Sequence, residues 1–117
     1  MYKRQFLEDV NEYCKVQDIP ASTASSEFAP GQFEINLNYT DNILKAADDA
    51  SLLRRVIKET AIKHEYEATF LSKPFLNEAG SGMHVHISLF NQNNENIFCD
   101  KEGNDSCLLY TSPSPRD

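Results

Sequence analysis

The stretch Phe33-Glu34-Ile35-Asn36-Leu37-Asn38-Tyr39 alternates apolar and polar residues without exception. Only an extended strand with one buried and one wet face gives that period of two its meaning, so the chain must build a sheet and cover one side of it. Pro30-Gly31, just upstream, is a turn signal, and it predicts a hairpin within residues 21–39. A loop centred on that dipeptide sets Glu27 directly opposite Glu34. Like charges directly across a ladder repel, so this register requires a bound cation, a proton or free access of solvent.

The remaining segments supply the covering layer. Phe6, Val10 and Tyr13 recur at helical spacing within residues 2–16, and Pro20 bars the helix from running on. Ile43, Leu44, Ala47, Ala50, Leu53, Val56, Ile57 and Ala61 recur at three and four, predicting a helix over 42–63 with Asp41 as its N-cap and a break near Asp48-Asp49. Ala68-Thr69-Phe70-Leu71 reads as a short strand ended by Lys73-Pro74. Asn77 to Gly82 reads as a loop, Met83 to Leu89 as a second alternating strand, and Asn91 to Gly103 as a hairpin around Asn93-Asn94. The expected fold class is α+β, an antiparallel sheet with one polar, metal-binding face and helices packed on the other.

Period two gathers Thr23, Ser25, Glu27, Glu34, Asn36 and Asn38 on one face, and puts His84, His86 and Ser88 on the polar side of their own strand. If the three strands share a sheet, the result is a floor of carboxylates, imidazoles and hydroxyls. Such a floor suits Mg²⁺ or Mn²⁺, which take mainly oxygen ligands and accept an imidazole, rather than a structural zinc held by thiolates. Taken singly, each element also has a plain structural explanation. Two glutamates on a wet sheet face are often only solvated, lone histidines are often surface or satisfied core residues, and Gly80 and Gly82 suit any turn.

Charge and composition narrow the partners. With 11 Lys and Arg against 18 Asp and Glu, the net charge of -7 is wrong for binding nucleic acid through its phosphates. No run approaches the ~20 apolar residues that span a bilayer, and the N-terminus lacks the apolar core of a signal peptide. No nucleic acid, no membrane and a cytoplasmic location are the expectations. Cys14 and Cys99 are too few and too far apart for a disulfide framework, and are expected as thiols. The tail Cys107-Leu108-Leu109-Tyr110-Thr111-Ser112-Pro113-Ser114-Pro115-Arg116-Asp117 matches what a common transposase sequencing adapter encodes when read in frame. Residues 1–106 are therefore expected to be the biological part, a fragment of a longer chain, and residues 107–117 a non-biological addition.

Two strings act together. Lys73-Pro74-Phe75, then Ala79-Gly80-Ser81-Gly82-Met83-His84, then Ser88 resembles the ATP-site signature of the glutamine synthetase family. Upstream, Glu27-Phe28-Ala29-Pro30-Gly31-Gln32-Phe33-Glu34 resembles that family's metal-binding hairpin, and the resemblance covers residues 2–106. It implies a catalytic-domain fragment of an ATP-dependent ligase that activates the γ-carboxylate of glutamate as an acyl phosphate and joins it to ammonia or an amine. It also implies metal ligands at Glu27, Glu34 and His84, ATP contacts at His86, Ile87 and Ser88, and glutamate-binding backbone at Ala79 and Gly80. Mg²⁺ or Mn²⁺ is the implied cofactor, ATP the co-substrate, and a homo-oligomer the implied assembly of the whole protein.

Two positions depart from the glutamine-forming pattern. Ala79 stands where those members commonly carry Asn, and Ser22 where they commonly carry Glu. Alanine before Gly-Ser-Gly, together with the Pro-Gly-Gln-Phe-Glu turn, looks more like the branch that joins glutamate to amines such as putrescine. The alternatives are a non-catalytic divalent-metal or nucleotide-binding module, and a structural domain whose polar face is merely solvated. The fragment alone, lacking the family's other ligands, is expected to be inactive.

Overall fold

The structure, a computed structural model, describes residues 2–98 of the chain. Cys99, the end of the expected Asn91–Gly103 hairpin and the Cys107–Asp117 tail lie outside the described residues. The chain divides into two units, Met1–Gly82 and Met83–Asp117.

In the first unit the order is α1 (Tyr2–Val16), β1 (Ala21–Ser26), β2 (Phe33–Leu37) and α2 (Ile43–Lys63). Helix α1 turns Val10 and Cys14, four apart, into the core, with Phe6 and Tyr13 partly buried beside them. It does not stop merely because a proline follows. Asp18 takes a left-handed φ of 55°, Asp18 N–H donates to Lys15 O (3.2 Å), and Ile19 N–H donates to Cys14 O (2.9 Å). That pair of bonds is a Schellman closure, and it folds Ile19 back onto Cys14 in the core.

Helix α2 starts one residue later than the acidic signal suggests. Asn42, not Asp41, is the N-cap, its Oδ1 accepting from Leu44 N–H (3.0 Å) and Lys45 N–H (3.1 Å). The expected break near Asp48-Asp49 does not occur. Asp49 is buried, and Lys45 Nζ reaches both its carboxylate oxygens at 3.0 Å, so the charge is compensated within the helix. The buried residues of α2 are Asp49, Leu53, Val56, Thr60 and Ala61, whereas Ile43 and Leu44, assigned by periodicity to the same apolar set as Leu53, Val56 and Ala61, are exposed.

β1 and β2 pair antiparallel, with Ser25 opposite Glu34 and Ala24 opposite Ile35. β2 alternates as expected, with Ile35 and Leu37 packed on the core formed by Val10, Cys14, Ile19, Leu53 and Val56. A bulge between Ala21 and Ala24 lets Ala21 pair with Leu37 and still join the core. Tyr39, expected on the packed face, lies beyond β2 and is exposed. The helices and hairpin form an α+β arrangement, the class expected.

Two expected strands are absent among the described residues. Ala68–Leu71 and Met83–Leu89 have no regular secondary structure, because neither finds a neighbouring strand here to satisfy its backbone groups. The described sheet therefore has two strands, not three. Ala68–Leu71 instead follows α2, where the Arg54 guanidinium lies 5.3 Å from the Phe70 ring centre. In the second unit Phe90 pairs antiparallel with Asn96, and Asn94 takes φ 62° in the turn between them, so the described part of the expected hairpin around Asn93-Asn94 is present.

Candidate functional site

The hairpin turn decides where the two glutamates go. Gln32 N–H donates to Ala29 O (3.0 Å), with Pro30 second in the turn and Gly31, at φ 79°, third. That is the residue order of a type II turn, whose third position requires the glycine. A type II turn splays strands of right-handed twist, and the ladder resumes only where Glu27 N–H donates to Gln32 O (2.9 Å). Phe28 and Ala29 are thus extra residues on the β1 side. The expected register, with Glu27 directly across from Glu34, is corrected: Ser25 stands across from Glu34.

An offset of two residues preserves face parity, where an offset of one would have reversed it. Glu34 stays on the wet face beside Asn36, which bonds Thr23 (Nδ2 to Oγ1, 3.4 Å) and whose carbonyl accepts from Ser22 Oγ (3.2 Å). Glu27 follows Ser25 by two, so Glu27 and Glu34 are diagonal, a separation of about 7–8 Å in a regular ladder. Both are exposed. Diagonal placement removes the direct repulsion that the symmetric register would have imposed.

The loop carrying Ala79 and Gly80 is closed on itself. Ser81 N–H donates to Ser72 O (2.7 Å), and Lys73 Nζ donates to Glu78 O (3.0 Å). A Cβ built on Gly80 would come 2.9 Å from Ser72 O, so the backbone approach there admits only glycine without a shift. Sequence reasoning gave Gln32 no more than a place in the turn. Its side chain bonds in two directions: Oε1 accepts from Ala29 N–H (3.1 Å), while Nε2 donates to Gly80 O (2.9 Å) and Ser81 Oγ (3.3 Å). A glutamine immediately after a Pro-Gly turn was the one available signal.

His84, His86, Ile87 and Ser88 are exposed residues of the second unit, in a segment without regular structure, and belong to no strand. Among the described residues, no group of three or more His, Cys, Asp and Glu is gathered to hold a metal ion. The donor chemistry of the hairpin nevertheless fits a hard cation, since two carboxylates and neighbouring hydroxyls on one wet face are oxygen ligands. They are fewer than the near-octahedral set that Mg²⁺ demands, so the described hairpin does not by itself make a complete cation site. Among the described residues, no helix is long and apolar enough to cross a membrane.

A second cluster of charge lies at the helix ends. Asp9 Oδ2 accepts from Lys63 Nζ and pairs with His64 Nε2, both at 2.9 Å, and Lys63 Nζ also meets Tyr13 Oη at 2.7 Å. The Lys63 hydrogen bond first, then that of His64, holds the Asp9 carboxyl below its usual value. Lys63 is pushed up by its bonds to Tyr13 and Asp9. Burial pushes the Cys14 thiol up, so it is a structural and unreactive sulfur.

An acidic hairpin beside a self-closed glycine loop defines a candidate ligand-handling domain of α+β type. The chain matches the family described as glutamine synthetase, catalytic domain, over residues 2–111, and it belongs to that family. It is 52% identical over 103 residues to gamma-glutamylputrescine synthetase of Escherichia coli (strain K12), covering 88% of this chain and 22% of the relative. It is 43% identical over 96 residues to a glutamate–isopropylamine ligase of a Pseudomonas species, covering 82% and 21%. With the glutamine synthetase of Thermotoga maritima the identity is 45% over 84 residues, covering 72% and 19%. The chain thus spans about a fifth of the length of these curated relatives. No solved structure matches it.

Proposed function

We propose that the protein containing this chain is an ATP-dependent ligase that joins the γ-carboxylate of glutamate to an amine. The observation that carries the proposal is the hairpin: two glutamates on one wet face, around a Pro-Gly-Gln turn, in a chain of the glutamine synthetase catalytic-domain family. In this reaction ATP gives its γ-phosphoryl group to the glutamate γ-carboxylate, forming an acyl phosphate and ADP. The amine then attacks the acyl carbon, and inorganic phosphate leaves.

Glu27 and Glu34 would hold one divalent cation, Mg²⁺ or Mn²⁺, and His84 would ligate a second. Such cations clamp phosphate oxygens and offset the charge that develops on the transferred group. The chain's own backbone at Ala79 and Gly80 would bind glutamate, and His86, Ile87 and Ser88 would contact ATP. An organic amine is favoured over ammonia as the acceptor, supported by Ala79 ahead of Gly-Ser-Gly and by the similarity to a gamma-glutamylputrescine synthetase and a glutamate–isopropylamine ligase. The whole protein would work as a homo-oligomer.

The test is phosphate release from ATP by the full-length protein supplied with glutamate and either putrescine or ammonia. Release dependent on glutamate and amine, at least ~100-fold lower in Glu34→Ala, is expected, since even losing an outer partner of a metal ligand costs about 10–100-fold and the ligand itself is worth more. Nucleotide binding without turnover would instead indicate a non-catalytic module. The 117-residue chain alone should release none, because the two hairpin carboxylates do not complete a cation site.

A further inference from the structure

We propose that Gln32 is a positioning residue of this ligase, tying the loop that carries Ala79 and Gly80 to the hairpin that carries Glu27 and Glu34. The role rests on the function proposed above. Among the described residues, every hydrogen bond between the hairpin and the 72–82 loop comes from the Gln32 amide. Its acceptor end is fixed by Ala29 N–H inside the turn, and its donor end grips Gly80 O and Ser81 Oγ. The loop is already closed by the Ser81 to Ser72 and Lys73 to Glu78 bonds, and cannot take a Cβ at Gly80. A self-closed loop gripped at one point moves as a body with whatever grips it.

The carboxylates and the glutamate-binding backbone are thereby held in register by one side chain. Holding reactants in fixed relative geometry is a large part of what an enzyme contributes, and small displacements are felt in substrate binding. Only an amide of this length can accept at one end and donate at the other. Glutamate at this position has nearly the same shape and keeps the acceptor for Ala29 N–H, but sets a carboxylate oxygen against Gly80 O. Methionine removes all three bonds of the amide and keeps the stem.

The experiment has two arms. In the full-length enzyme, Gln32→Glu and Gln32→Met should raise the KM for glutamate about 3–10-fold, the value of one or two ordinary hydrogen bonds, while the KM for ATP stays within about twofold. A residue that merely supports folding would instead lower the amount of active enzyme and leave the KM for glutamate alone. In the 117-residue chain, amide hydrogen exchange at Ser81 should quicken in both variants, with the Leu53 and Val56 amides of α2 unchanged as an internal reference. If Gln32→Met fails to fold, Gln32→Glu carries the test. An active Gln32→Glu enzyme with an unaltered KM for glutamate, or unaltered exchange at Ser81, overturns the proposal. A wild-type enzyme without ligase activity overturns the function itself, and the catalytic role of the tie with it, whatever the exchange shows.

Discussion

Glu65 sits just past α2 at φ 59°, and the bonds Glu65 N–H to Ile62 O (3.0 Å) and Tyr66 N–H to Ala61 O (2.8 Å) repeat the Schellman closure that Asp18 makes after α1. Left-handed backbone costs a side chain with a Cβ about 1–2 kcal/mol, and glycine returns about 0.5–1 kcal/mol of that through its looser unfolded state. Glu65→Gly is therefore expected to stabilise the chain by about 0.5–1 kcal/mol, read as a higher urea midpoint at unchanged slope. Asp18→Gly should gain less, since aspartate tolerates this region better than glutamate. A fall in midpoint for Glu65→Gly would show that its carboxylate does something the closure does not explain. The apolar spacing placed both helix ends, at Val16 and Lys63, but not the left-handed closures that make them, because neither helix is followed by the glycine or asparagine that usually announces one.

The joint between the two helices depends on charge as well as packing. Asp9 on α1 faces Lys63 and His64 at the end of α2; His64 stacks near-parallel on Tyr66, and Phe6 meets both rings edge-on. Because the folded state holds Asp9 below its ordinary value, the stabilisation is complete above the unfolded carboxylate's pKa and is lost as pH falls through the folded one. Helix–helix stability should thus decline as pH falls below the ordinary carboxylate range, and Asp9→Asn should flatten that part of the profile while lowering stability at neutral pH. Equal acid sensitivity in the variant and the parent would rule the pair out as its source. At this scale the sequence yielded α1 and the face parity of β2. It missed the offset of the hairpin, because a Pro-Gly dipeptide names a turn without saying how many residues flank it before the ladder resumes.

The first unit has a small core. Val10, Cys14, Ile19, Leu53 and Val56 form one buried cluster, while Phe28, Ile43, Leu44, Phe75 and Leu76 stay mostly exposed. Removing a core leucine costs about 2–5 kcal/mol, and a core this size supplies little more than that. Leu53→Ala is accordingly expected to abolish cooperative unfolding, measured by far-UV circular dichroism against urea; a sharp two-state transition in the variant would mean that the chain is held together elsewhere. The exposed apolar residues and the two strand-like segments without regular structure share one feature. Their apolar periodicity is matched by no burial among the described residues.

Sequence by itself determined the elements whose signal is local: the spacing of apolar residues in α1, the alternation of β2, the glycine demanded by the Pro-Gly turn, and two motifs that resembled one enzyme family. Only the tertiary structure decided which glutamate faces which residue, that Asn42 caps α2, and that Gln32 joins two segments far apart in the chain. Those outcomes depend on where backbone donors and acceptors meet in space, and residue order fixes such meetings only after the chain has folded.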